Sequence, residues 1–440
     1  MATRYIKDRQ DRFYFITKKG KRESFKLIFG DEVKTSTKPA PSGSGWQSVR
    51  YRERLGEIKK PKLGKKRSLE MYFLDVGQGD AAFIVTPNNT KILVDGGLRE
   101  RALGFLIWKY RLDKPGRKLT IDHMFLSHAD DDHVSGLVPL LNHPDITVRN
   151  IWHNGIGIYK DASFNKSLGR VSKGILKTRH SSLADLGTKK LSAGFRRWTQ
   201  AVAASGTNYN ALDASAGVLD IGDPEITLEI ISPVLEADNT YRWFGNKSQT
   251  INGHSLTFRL GYGHVRSYFS GDLNAKGCRH ILDKPYASLK LDAHIFKTPH
   301  HGSFDYYQPF LNAVAPMISV VSSGDSPDHG HPRACFLGAL GLAGRGETPM
   351  IFSTEIAATF VDIGEKESSD ENEPKTTADI NLGDIDFSKS DANAIARQRF
   401  KKVLSGIINV RSDGEDIYAA RRVRAGYQWE LYGPIEYFDS

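Results

Sequence analysis

Residues 125–137 read FLSHADDDHVSGL, in which His128 and His133 bracket Asp130, Asp131 and Asp132. Adjacent carboxylates repel one another, and the crowding makes sense where a cation of charge two or more sits among them. A loop leaving a strand at His128 can fan Asp130 and Asp132 around one point, and a helix entry would fix His133 beside them. Two later stretches carry the same donor types. FSGD places Asp272 just past an apolar run, and KTPHHGS places His300 and His301 past another. Acidic and imidazole groups at like ends of several strands are how layered α/β enzymes build sites. The plainer alternative is a surface acidic loop with unrelated core histidines, and it weakens once FSGD and PHHGS follow. Asp131 reads as the spare aspartate, solvated or lying behind the ligands. His123, His143, His180, His280, His294 and His329 have no motif around them and read as structural. His153, after NIW, reads as structural or as a pocket residue, and Cys278 and Cys335 as buried or inert.

The elements that must position these groups follow from the apolar pattern. LEMYFLDVGQGDAAFIV and NTKILVDGG read as strands joined through the turn signal PNN. RERALGFLIWKYRL has helical spacing, IDHMFLS is a strand ending at His128, and VSGLVPLLN opens a helix. Strands return from residue 219 in DPEITLEIISP, HSLTFRLGYG, HVRSYFSGD, AHIFKTPHHG, MISVVSSG and MIFSTE. This alternation predicts a layered α/β domain. EKESSDENEPKTTAD has no apolar period and reads as a flexible insert. The predicted division is therefore 1–67, an N-terminal unit with its linker; 68–363, the α/β domain; 364–400, a polar insert; and 401–440, a return to the α/β domain.

The motifs resemble the metallo-β-lactamase fold superfamily, whose signature is His-x-(His/Asp)-x-Asp-His after a strand, then a bridging Asp and a last His. The resemblance is closer to the hydrolase domain of ComEC-type competence proteins, through DVGQGDA at 75–81, ILVDGG at 92–97, NGHSLTFRL at 252–260 and GHP at 330–332. It covers about residues 69–362 and returns at 405–440. It implies a four-layer αββα fold (α+β in the broad sense) and two divalent metal ions, Zn2+ or Mn2+. His128 and Asp130 would hold the first ion. Asp132, His133 and one of His300 and His301 would hold the second, with Asp272 bridging. Asn252 or His254 would complete the first site. Asp132, Asp272 and His301 would carry the catalysis of a hydroxide shared by the two ions. Oxygen-rich ligands at the first site favour Mn2+ over Zn2+. Asp75, Gln78, Asp80, Asp95 and His331 would orient ligands or touch substrate.

Charge divides the chain. Residues 1–67 carry 20 Lys/Arg against 7 Asp/Glu, a net of +13 in a chain of net +10, so the remaining 373 residues sum to −3. Strand-like runs RFYFIT, SFKLIF, EVKTST and WQSVRYR, separated by turns, predict a small β-barrel here. FGDEVKT…SGWQSVRYR…GEIKK resembles bacterial SH3-like domains, and KKPKLGKKR reads as a basic linker. Such a patch attracts nucleic acid or docks a protein partner, or it is a solvated charge-rich module. No apolar run reaches the roughly 20 residues a membrane span needs. The first residues have no signal-like apolar stretch, and two cysteines fit a reducing cytoplasm. The expectation is a cytoplasmic metal-dependent phosphodiesterase or nuclease. The rivals are a hydrolase of a small phosphoester, nucleotide or lactone, and a non-catalytic metal-stabilised binding subunit.

Overall fold

The computed structural model describes residues 1–160, 167–186, 190–283, 290–324, 330–346, 349–355, 406–422 and 429–435. The expected polar insert at 364–400 and His329 lie outside these residues.

Seven short strands between Ala2 and Gly64 form one antiparallel sheet over a core of Ile6, Phe13, Phe15, Leu27, Val33, Val49 and Ile58. The all-β expectation holds for this segment, but the expected SH3-like barrel does not, because the sheet is open. Closure would pair Arg22–Ile28 with Leu63–Gly64, the two edge strands. Leu63–Gly64 offers two residues to pair. Arg22, Glu23 and Ser24, at the start of the other edge, are exposed, and charged edges resist further pairing. The sheet instead docks on the rest of the chain, where Phe29 stacks on Tyr418 with ring centroids 4.3 Å apart.

Two further sheets face each other. The first runs in the order Asn208–Ala211, Ile146–His153, Leu119–Leu126, Lys91–Val94, Ala82–Val85, Leu69–Phe73, Ile408–Ser412, Ile417–Arg422, Trp429–Ile435. The second runs Val218–Leu219, Ile226–Ser232, Thr257–Tyr262, Val265–Phe269, Ile295–Lys297, Ile318–Val321, Met350–Ser353. Phe73, Phe125, Phe258 and Phe269 interlock between them, with Phe125–Phe258 and Phe258–Phe269 centroids each 4.9 Å apart. Helices Arg101–Tyr110, Leu137–Leu141 and Ala193–Ser205 cover the outer face of the first sheet. Helices Ala275–Asp283, Gln308–Val314 and Ala334–Ala343 cover the second. The strands are mostly apolar rather than alternating because both their faces are buried: every residue of Leu69–Phe73, Ala82–Val85 and Ile318–Val321 is inside, Glu70 and Ser319 included. The mixed α/β architecture is thus helix, sheet, sheet, helix.

Lys91–Val94, Leu119–Leu126 and Ile146–His153 pair in parallel. So do Val265–Phe269, Ile295–Lys297, Ile318–Val321 and Met350–Ser353. Parallel pairing puts the C-terminal ends of each set at one edge, where loops converge. Cys278 is buried, and burial pushes its thiol pKa up. Cys335, expected to be buried or inert, is exposed: it sits in the first turn of the surface helix Ala334–Ala343. His123, expected to be structural, accepts from Trp152 Nε1 at Nδ1 and donates to the Ile221 carbonyl from Nε2, at 3.0 and 3.2 Å.

The loops at the converging edge are fastened backbone to backbone. A Cβ on Gly136 would sit 2.1 Å from the Gly96 carbonyl oxygen, and one on Gly96 would sit 2.5 Å from the Leu137 nitrogen. Gly136→Ala is therefore expected to destabilise the fold by about 1–3 kcal/mol, as overpacking does. A denaturant midpoint equal to the parent's would show that this close approach does not set the loop.

Candidate active site

The loop after Leu119–Leu126 carries Ser127, His128 and Asp130, and the short helix Asp131–Val134 presents Asp132 and His133. Asp272 follows Val265–Phe269, and His300 and His301 follow Ile295–Lys297. His300 and His301 both hold left-handed backbone, at φ +48° and +52°, a strain of about 1 kcal/mol or more per residue that persists where the surroundings impose it. It turns the two adjacent side chains to different neighbours.

Asp272 lies at the centre. One of its oxygens, Oδ1, is 3.3 Å from His133 Nε2, and the other, Oδ2, is 3.2 Å from His301 Nε2 and 4.0 Å from His128 Nε2. Asp132 reaches His301 Nε2 at 3.3 Å and His133 Nε2 at 3.9 Å. Asp130, half-buried, lies 3.7 Å from His128 Nε2. His128, His133 and Asp272 could share one cation, as could Asp132, His133 and His301.

The far side of each imidazole decides what Nε2 can do. His301 Nδ1–H donates to the Ser322 carbonyl at 3.0 Å. His133 Nδ1–H donates to Asp95 Oδ2 at 2.9 Å. The Ser127 hydroxyl donates to Asp95 Oδ2 at 2.7 Å, so its oxygen is left to accept from His128 Nδ1–H at 3.0 Å. When neutral, all three rings therefore turn an Nε2 lone pair inward. Those three nitrogens and Asp272 Oδ1 are buried and make no hydrogen bond. Four buried, aligned and unsatisfied donor atoms are what a metal ion would complete, and the residues fit one.

Electrostatics agree. Burial opposes charge on His133 and His301, yet Asp272 and the neighbouring carboxylates hold both pKa values well above the usual histidine range. Burial also opposes ionisation of Asp272, but His301 and His133 hold its carboxyl well below the usual range. Protons thus supply the positive charge the carboxylates demand.

Of the residues expected to hold metal, His128, Asp130, Asp132, His133, Asp272 and His301 come together. His300 does not point with them. Its Nε2 lies 3.4 Å from Asn252 Nδ2, at the mouth of the site. Asn252 Oδ1 is buried without a hydrogen bond. His254, the alternative to Asn252, is turned away: its Nε2 donates to the Arg242 carbonyl at 2.8 Å and its ring stacks on Phe244. Asp131 packs over Gly194 and belongs to none of the ligand groups. Asp95 is the hinge of the histidine network, taking the Ser127 N–H at 2.7 Å as well. Asp80 is 3.4 Å from His301 Nδ1 and 2.6 Å from Lys297 Nζ. Gln78 sits where its backbone touches Gly324. His331 lies with its ring centroid 6.0 Å from that of His300. Asp75 faces Arg101 at 3.4 Å and the Gly406 N–H at 3.3 Å, away from the cluster. His153 is a buried structural group, its Nδ1 beside the Tyr209 hydroxyl at 3.1 Å and its pKa pushed down to about 3 chiefly by burial.

Sequence reasoning passed over Ser127 and Lys297. Ser127 precedes His128 directly, where a hydroxyl between strand and ligand was the available signal. Lys297 ends the buried strand IFK; a lysine closing so apolar a run needs a carboxylate partner, and Asp80 is that partner.

Residues 74–164 match the family model described as "Metallo-beta-lactamase superfamily", so this segment is similar to that superfamily. Among solved structures, the metallo-β-lactamase SMB-1 bound to 2-mercaptoethanesulfonate is similar at 15% identity over 52% of this chain and 79% of that one, with a TM-score of 0.27. A Cronobacter sakazakii metallo-β-lactamase mutant is similar at 15% over 53% and 77%, TM-score 0.28. A flavodiiron protein from Giardia intestinalis is similar at 14% over 46% and 38%, TM-score 0.23. No curated protein sequence matches. The ligand groups above stand on the geometry alone.

Two outcomes follow from this geometry. Asp272→Ala is expected to remove bound metal and activity together, while Asp131→Asn keeps both; equal metal loss in the two variants would mean that the loop register is misread. Metal must also displace protons from His133 and His301, whose raised pKa values keep them protonated near neutrality. Affinity for Zn2+ should therefore rise with pH, by about tenfold per unit for each proton displaced. Competition titrations at pH 6, 7 and 8 that give one constant affinity would contradict it.

Proposed function

We propose that this protein is a metal-dependent phosphodiesterase acting on nucleic acid. The reading rests first on the buried cluster whose three Nε2 atoms and Asp272 Oδ1 lack partners. His128 and Asp130, with Asn252 beside them, would hold one divalent ion. Asp132, His133 and His301 would hold a second, with Asp272 between the two. Zn2+ or Mn2+ bound there would make water acidic enough to supply a nucleophile near neutral pH and would draw off negative charge at phosphorus.

The chain's own residues do the rest. Asp95 and Ser127 fix the His128 and His133 rings, and the Ser322 carbonyl fixes His301, so that all three face the reacting position. Half-buried Asp130, Asp132 and His300 are the side of the cluster open to a substrate. Phe304, three residues past His301, is 69% exposed, and an exposed ring this near the site suits stacking on an unpaired base.

Residues 1–67 act in this reading as a polyanion-binding module beside a hydrolase formed by 68–363 and 401–440. Their +13 charge supports a nucleic-acid partner. The resemblance of DVGQGDA, ILVDGG, NGHSLTFRL and GHP to ComEC-type hydrolases supports the same substrate class.

The direct test is purified protein with Mn2+ or Zn2+ against single- and double-stranded DNA, RNA and a chromogenic phosphodiester. Cleavage of the chromogenic compound alone would favour the small-phosphoester alternative, and cleavage of none would sink the phosphodiesterase reading. A second test uses the exposed turn Lys18, Lys19, Lys21. Reversing all three to Glu should leave chromogenic turnover unchanged and weaken nucleic-acid binding. It should also flatten the salt slope by about 0.7–0.9 for each phosphate that the lysines cease to neutralise. An unaltered slope would take this turn out of the interface.

A further inference from the structure

A second concave site lies at the opposite end of the strand Leu69–Phe73. The strand's C-terminus leads into the loop in which Gly79 packs against Asp132 of the ligand cluster. Glu70 and Tyr72 line a cavity of about 380 Å³ between the N-terminal sheet and the first hydrolase sheet. The helix Arg101–Tyr110 runs between the two regions, with Arg101 paired to Asp75 and Lys109 lining the cavity. None of the residues lining the cleft belongs to the ligand groups, so a molecule in this cleft is not at the metal ligands.

Eight cationic side chains line the cleft against four carboxylates. The four carboxylates are already consumed. Glu70 holds Arg67 at 2.5 Å and Lys109 at 3.0 Å, Glu32 holds Arg67 at 2.5 Å, and Asp31 holds Arg411 at 2.9 Å. Glu53 holds Arg117 at 2.5 Å and Arg111 at 3.7 Å. Lys34 and Arg50 remain. They stand directly opposite each other on paired strands, an arrangement of like charges that costs stability. Neither takes part in an ion pair among the described residues, and the buried Nε of Arg50 makes no hydrogen bond. Arg411, 95% buried at the back of the cleft, likewise has an Nε without a partner. Arg52 is held within the chain, its guanidinium 4.0 Å over the Trp108 ring and bonded to the Trp108 carbonyl. Uncompensated positive charge in a low-dielectric concavity concentrates anions.

We propose that this cleft is a second binding site, distinct from the metal cluster, for a small ligand carrying several phosphate groups. An open cleft of this volume suits a compact oligophosphate, and guanidinium groups at the back and rim match phosphate geometry. Lys34, Arg50 and Arg411 are the groups that such a ligand would satisfy.

The probe is tripolyphosphate, titrated into the full-length protein by calorimetry and by tryptophan fluorescence, since Trp108 lines the cleft. One-site binding is expected, and Lys34→Glu with Arg50→Glu should weaken it about tenfold or more, the effect of removing charge-assisted hydrogen bonds. Lys34→Gln with Arg50→Gln, milder to the fold, should weaken it in the same direction. Trp108→Phe should shrink the fluorescence change, Trp429 also lining the cleft, and keep the calorimetric one. Asp272→Ala should bind as the parent does, which separates this cleft from the metal cluster and from the proposed hydrolase activity. The proposal is overturned if tripolyphosphate does not bind. It is also overturned if both double variants bind it as the parent does, or if Asp272→Ala abolishes binding. Binding of a short oligonucleotide without any binding of tripolyphosphate would overturn it too, and would assign the cleft to a nucleic-acid strand.

Discussion

Asp272 is a buried carboxylate approached by three imidazoles, with Asp132 and Asp130 close behind. Around it the molecule gathers more negative charge and more inward-facing lone pairs than water can reach to solvate. An ionised carboxylate isolated from water costs several kcal/mol, so the cluster persists only with positive charge at its centre. Protons on His133 and His301 can supply that charge, and so can a divalent ion. Much of the surrounding architecture serves to hold these groups at that spacing. The parallel strands deliver them to one edge. The close approach of Gly96 and Gly136 locks the loop bearing Asp95 to the loop bearing His133, and the left-handed turn at His300 and His301 aims two neighbours in different directions.

The orienting groups matter as much as the ligands. Asp95 receives two hydrogen bonds from Ser127 and one from His133, so a single carboxylate sets the rotation of two imidazoles through one intermediary hydroxyl. His301 is set by a backbone carbonyl, which cannot ionise and cannot rotate away. Lys297 pairs with Asp80 behind His301, and Asp80, 3.4 Å from His301 Nδ1, joins Asp272 in favouring charge on that ring. Each device keeps an Nε2 lone pair pointed at the same small volume.

The site was legible in the sequence because its chemistry is concentrated in short motifs. His128 to His133 occupy six consecutive positions, and FSGD and PHHGS each end a strand, so local pattern and topology agree. What was not legible depends on distant pairings. Whether His300 or His301 faces Asp272 follows from backbone torsions at the turn, which residue type does not reveal. His254 and Asn252 look equivalent as donors two residues apart, and only the stacking of the His254 ring on Phe244 separates them. The pairing of Lys297 with Asp80 joins residues far apart in the chain. The N-terminal strands were recognisable by their alternation, but closure into a barrel depends on the two edge strands, one of which has only two residues to pair.

The two charged regions differ in a way that separates architecture from binding. Between the N-terminal sheet and the hydrolase, Glu70 is surrounded by Arg67 and Lys109 and accepts from the Tyr72 hydroxyl at 2.6 Å. Burial opposes its ionisation, yet Lys109, Arg67 and Arg411 hold its pKa far below the usual carboxylate range. Both Glu70 oxygens are answered from within the chain, so Glu70 fastens two layers and asks for nothing further. Removing one member of such a network leaves a buried unpaired charge, at a cost of about 3–5 kcal/mol. The metal cluster and the Lys34–Arg50 rim are unanswered: in one the inward lone pairs exceed the protons, in the other the cations exceed the carboxylates. A folded chain tolerates such imbalance at two concave places when something from outside restores it. The sign of each imbalance is what the two proposals share: a cation at Asp272 in the one and an anion beside Arg50 in the other.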